Sequence, residues 1–209
     1  MHLGKVVKSN SHCDYVIQLD DGLSTSTPPD VSQFGFGSFV KLEDRSSDLL
    51  GASADPRHWA VGIIYNTQLF NPSFNSSGPR LSSEPDLAFT PDQVHETRTL
   101  LGVMLIGMLR QDGDRRYGVQ RIPRVVVPFN TSADLMTPDD IYQFHRDQNG
   151  RPQFRYYMHL LRSGGNFSSE LIQHILDNLR DSPFAPDEAR ALEVLRKELS
   201  WKSAMGAMR

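Results

Sequence analysis

The sequence predicts an α+β fold: a small antiparallel β-barrel over about residues 1–131, followed by a mainly helical region over 132–209. Three observations carry this. Short β-branched and aromatic runs punctuated by glycine fill the first part. Beyond Asn130 the signatures change to helix starts such as Thr137-Pro138-Asp139-Asp140. A chain of 209 residues with 38% hydrophobic content is long enough for one sizeable domain or two small ones, and no fixed-period repeat is visible.

Gly4 to Leu19 alternates in two β-rich runs parted by Ser9-Asn10-Ser11-His12, which reads as a hairpin. Pro28 and Pro29 close the Ser/Thr-rich stretch after it to any strand, because neither has a donor N–H. Phe34 to Leu42 reads as a bent strand opened by glycines, and Trp59 to Tyr65 as a central one. Residues 71–93 carry four scattered prolines, so neither helix nor sheet propagates there; this is a long loop within the barrel region. Apolar content alone fits Leu100–Leu109 to a buried helix or a buried strand. Its two glycines decide for strand, and the Gln111-Asp112-Gly113-Asp114 turn leads to a partner strand at Arg124–Pro128.

In the second part, Thr137 is the expected N-cap of a short helix to about Arg146, with proline at the first helical position and carboxylates in the first turn. Phe154–Met158 reads as one more strand. Ser168-Ser169-Glu170 starts a helix to about Arg180, and Ala185-Pro186-Asp187-Glu188 starts the last. In that last helix Leu192, Leu195 and Leu199 recur at helical spacing and, with Trp201, offer a partner or oligomer face, while Arg190, Glu193, Arg196 and Lys197 point outward.

A net charge of −3 excludes a global basic field that would draw the chain onto nucleic acid or an anionic membrane. Lys5 and Lys8 fall where a signal peptide would need its apolar core, and no apolar run reaches bilayer length, so a cytoplasmic location without membrane contact is expected. The single cysteine, Cys13, rules out an intramolecular disulfide framework.

The opening strands resemble a known family. Gly4-Lys5-Val6-Val7-Lys8-Ser9, then Tyr15-Val16-Ile17, Phe36-Gly37-Ser38-Phe39-Val40-Lys41 and Val61-Gly62-Ile63-Ile64-Tyr65 look in order like the strands of the HAS-barrel. These are its Gly-x-Val strand, the partner of that strand, its Gly-x-x-Val strand and its Gly-x-Ile strand. The HAS-barrel precedes the motor in HerA-type DNA-translocating ATPases and is similar to the N-terminal barrel of the ATP synthase α and β subunits. Leu100–Leu109 with Ile122-Pro123-Arg124-Val125 is similar to the strand and proline-bearing turn that close it. The resemblance covers about residues 3–131 and implies a barrel that serves assembly and holds no catalytic residue. The remainder matches the family's motor nowhere, and the whole looks like stand-alone HAS-barrel proteins of cyanobacterial and similar bacterial genomes.

Catalytic spacings are missing from the sequence. The one Gly-Lys pair, Gly4-Lys5, lacks the glycine before it and the hydroxyl after it that a phosphate-wrapping P-loop needs. Gly35-x-Gly37 lacks a third glycine and precedes a strand. Ser38-x-x-Lys41 lies on a strand, where positions three apart face opposite ways. His12 beside Cys13 points apart for the same reason, and none of the seven histidines pair at i, i+4. Asp139-Asp140 and Asp187-Glu188 serve helix starts. Arg115, Arg116, Arg121 and Arg124 with Tyr117 form a basic hairpin with an aromatic, a pattern that grips phosphates and stacks a base or else is a solvated tip. The expectation is a non-enzymatic interaction module with a protein partner or self-association and no cofactor or metal. The alternatives are an accessory factor in DNA processing, binding DNA or a separate ATPase or nuclease, and a hydrolase with its site in the 71–93 loop.

Overall fold

A computed structural model describes residues 1–22, 24–43, 58–70, 98–124, 126–163, 165–180, 190, 192–194 and 196–197. These contain strands β1 (His2–Ser9), β2 (Asp14–Leu19), β3 (Phe39–Glu43), β4 (His58–Phe70), β5 (Arg98–Asp112), β6 (Arg115–Val119) and β7 (Ser132–Leu135). Helices α1 (Pro138–Phe144), α2 (Tyr157–Ser163) and α3 (Ser168–Arg180) follow.

The strands form a closed antiparallel barrel in the order β2-β1-β7-β3-β4-β5, sealed where β5 returns to β2 with Asp14 opposite Met104 and Gln18 opposite Leu100. The length of β5 makes this closure compatible with one further strand. One edge of β5 pairs with β4 from Arg98 to Arg110; the other meets β2 in its first half and β6 in its second, Met108 to Asp112. Alternation delivers Tyr15, Ile17 and Leu19 of β2 inward, as the hairpin reading requires. Register shifts at Val61/Gly62 and Ile64/Asn66 bend β4 around the barrel.

The α+β reading holds, and three element readings change. The partner of β5 is Arg115–Val119, directly after the Gln111–Asp114 turn, and the described residues of Arg124–Pro128 lie outside any strand. Pro123 and Pro128 have no N–H for a ladder, and the Val127 N–H donates instead to Tyr15 Oη at 3.2 Å. Phe154–Met158 is not a strand: α2 begins at Tyr157, and Phe154 and Tyr156 enter an aromatic cluster with Phe39, Phe144 and His145, ring centroids 4.7–6.4 Å apart. Ser132–Leu135, unread as a strand, completes the barrel between β1 and β3. The 71–93 loop and most of the last helix lie outside the described residues.

The helices share one hydrophobic core with the barrel. Along α3, Leu171, Ile172, Ile175, Leu176 and Leu179 form one buried stripe, each side chain worth roughly 1.5–3 kcal/mol of burial. Thr137 caps α1 as expected: its hydroxyl accepts from Asp140 N at 3.1 Å while the Asp140 carboxylate accepts from Thr137 N.

His145, fully buried beyond α1, has a defined tautomer. Its Nδ1 faces the Ile141 carbonyl at 2.7 Å and must carry the proton, so Nε2 accepts from Tyr156 Oη at 2.9 Å. Burial lowers its pKa to about 4, against a smaller opposing effect of the Ile141 bond. The unfolded chain therefore binds this proton first as pH falls, and stability present above about pH 6.5 is lost as pH drops towards 4, up to about 3 kcal/mol from this group. Urea unfolding across that window should show the slope. His145→Gln should lower stability at pH 7 and flatten the slope; an unchanged slope would assign it to other groups.

Candidate interaction site

The connection from β6 to β7 is a strap tied to the barrel at several points. His12 Nε2 donates to the Pro123 carbonyl at 2.6 Å, the Val127 side chain is buried, and Val6 exchanges backbone bonds with Asn130 and Thr131 at 2.9 and 3.0 Å. Its last turn is fixed by Thr131, which donates both its N–H and its hydroxyl to the Pro128 carbonyl, and by Asn130 at φ 65°, a left-handed conformation that asparagine tolerates. Pro123 and Val127 are buried at these ties, and the other described side chains from Arg121 to Asn130 are exposed. Ile122 is 51% exposed, Val126 67% and Phe129 70%. Three large apolar groups held outward on one fixed segment differ from apolar residues scattered singly over a surface.

The arginine hairpin is not assembled as one exposed patch. Arg115, Arg121 and Arg124 are exposed, but Arg116 bridges Asp139 and Asp140 at the start of α1, and Tyr117 is buried at 8% exposure. The register explains the split, because Arg116 and Tyr117 point to opposite faces of β6. Asp140 itself is buried. Burial alone would raise its pKa, but a 3.0 Å hydrogen bond and the charge of Lys41, with the bonds of Thr137, hold it below the usual carboxylate range. The first-turn carboxylates thus serve the fold, and Lys41 is drawn to Asp140 while Ser38 Oγ accepts from Gly35 N at 3.0 Å.

Cys13 is buried, which pushes its thiol pKa up, and its neighbour His12 is directed at Pro123. Gly37, at φ 87°, turns the chain into β3, its N–H donating to the Ile64 carbonyl at 2.8 Å. Of the proposed C-terminal face, Leu192 is half-buried against the chain's own core, and Arg196 ties its segment to Asp177 of α3 at 3.1 Å. Leu195, Leu199 and Trp201 lie outside the described residues. Among the described residues no helix is long and apolar enough to cross a membrane. The sequence hides the apolar strap because Arg124–Pro128 reads from its valines as a strand paired with β5.

Fold and site together define an α+β protein in which a closed six-stranded barrel carries a helical layer and an outward apolar strap. The chain belongs to the family described as Domain of unknown function (DUF8166), whose model matches residues 1–209. No curated protein matches it.

Proposed function

We propose that the protein is a non-enzymatic interaction module that docks a protein partner on the strap between β6 and β7. The carrying observation is the outward set Ile122, Val126 and Phe129 on a segment whose backbone is already fixed to Val6, His12 and Tyr15. A preordered apolar surface binds without the entropic cost of ordering a loop, and aromatic side chains at its centre supply most of the affinity. The resemblance to the HAS-barrel supports the same use, since that barrel provides assembly surface in ring-forming ATPases. Direct DNA contact is less favoured by the geometry, because Arg116 is paired and Tyr117, the stacking group, is buried.

The test is a partner identified by co-purification from native cells, then reconstituted from purified components at fixed stoichiometry. Substituting Ile122, Val126 and Phe129 together by serine should weaken that complex by about tenfold or more while leaving the unfolding midpoint within a few degrees. An equally tight complex, or a strictly monomeric chain that reconstitutes with nothing, would overturn the reading. Light scattering that shows self-association abolished by the triple variant would make the partner a second copy.

A further inference from the structure

A second surface stands on different residues. The turn over 146–152 folds against the β5–β6 hairpin and leaves a cleft of about 330 Å³, at the small end of ligand-binding clefts. Its walls are built without a ligand. Asp147 Oδ1 accepts from Asn149 N and Arg151 N, both at 2.8 Å, which locks the turn. Gln153 Nε2 donates to the Gly118 carbonyl at 2.8 Å, and Gln120, itself buried, spans the Phe144 and Gln153 carbonyls and accepts from Arg155 N at 2.7 Å.

The charge of the lining is one-sided. Among the described residues of the lining, Arg110, Arg121 and Arg155 stand against a single carboxylate, Asp147, leaving a net +2. That carboxylate is already engaged by its own turn, whose Arg151 N–H holds its pKa below the usual range. Arg110 is half-buried, and its Nε is sealed from solvent without a hydrogen-bond partner among the described residues. Across the ladder Arg110 stands opposite Tyr117, which also lines the cleft.

We propose that this cleft binds the phosphate group of a small phosphomonoester, with Arg110, Arg121 and Arg155 as its guanidinium donors. A phosphomonoester carries close to two negative charges at neutral pH, matching the lining, and guanidinium forks suit its oxygens. Nucleic acid tracks an extended groove along several phosphates, whereas the guanidinium groups here gather in one cleft that Asp147, Gln148 and Asn149 of the turn bound on one side.

Isothermal titration of the whole chain with inorganic phosphate and phenyl phosphate, at constant ionic strength, should show saturable binding at a single site. Arg110→Gln and Arg121→Gln should each weaken both by about tenfold or more, as expected for loss of a charge-assisted contact. Arg162→Gln, outside the cleft, should leave binding unchanged. Arg121 is exposed, so its variant should unfold at the native midpoint and keeps the test independent of any folding defect at Arg110. The proposal falls if neither phosphate binds, if both cleft variants bind undiminished, if acetate binds as tightly, or if an oligonucleotide binds where the phosphates do not.

Discussion

Asp140→Ala is expected to destabilise the protein by about 3–5 kcal/mol in urea unfolding at neutral pH, because it leaves two cations without their shared anion. The Asp140 side chain is buried and takes Lys41 Nζ at 3.0 Å on one oxygen and Arg116 on the other, while also closing the capping box of α1. Lys41 belongs to β3 and Arg116 to β6, so this one carboxylate ties two strands outside each other's ladders to the first helix. Removal strands Lys41, which is only 23% exposed, and withdraws the acceptor for Thr137 N. Asp140→Asn keeps the cap acceptor and should lose less. Asp139→Ala removes the solvent-side partner of Arg116, at 57% exposure, and should cost under about 1 kcal/mol. The sign with pH follows from the lowered carboxyl pKa: this stability is present above the ordinary carboxylate range and is lost as pH falls through the folded value. Equal costs for Asp139→Ala and Asp140→Ala would show that the buried carboxylate has no special place.

What the sequence carried locally is what the structure reproduces. The Thr137-Pro138 helix start, the β1–β2 hairpin and the strand nature of β5 each depend on neighbouring residues, through a cap, an alternation and two glycines beside a turn. What failed depends on distant ones. Ser132–Leu135 has too little apolar content to read as a strand, and becomes one because β1 and β3 supply ladders on both its edges. Arg124–Pro128 has strand-forming valines but is held as a strap by His12 and Tyr15, far away in sequence. The same limit applied to the sites. Arg121 was marked by its charge, yet its companions in the cleft are Arg110 from β5 and Arg155 from beyond α1, which only the folded topology brings together. The arginine hairpin was legible as charge and illegible as geometry, since a strand's alternation sends Arg116 to Asp140 and Tyr117 to the other face.

Gly118→Ala should be nearly as damaging, at or beyond the top of the usual range of about 1–3 kcal/mol for overpacking. A Cβ at Gly118 would sit 1.8 Å from the Phe144 carbonyl oxygen and 2.6 Å from its carbon, so backbone and not a flexible side chain would have to move. The contact is this close because the end of α1 rests directly on β6, with Gly118 N donating to the Arg146 carbonyl at 2.8 Å and Gln120 and Gln153 binding the carbonyls around it. Glycine is needed here for approach, since its φ is not in the left-handed region. The expected consequence is twofold. α1 should lift from β6, weakening the Arg116–Asp140 pair and exposing the aromatic cluster around Phe144, which near-ultraviolet circular dichroism would register. The cleft should also open, because Gly118 and Gln153 are two of its walls, so phosphate binding at Arg110 should fall together with stability. Gly113→Ala is the matched control: its turn position has open space for a Cβ and a φ of 59°, so it should cost only about 1 kcal/mol of local strain and leave both the aromatic signal and the cleft intact. If Gly118→Ala behaves like Gly113→Ala, the close seat of α1 on β6 is wrong, and with it the wall of the cleft.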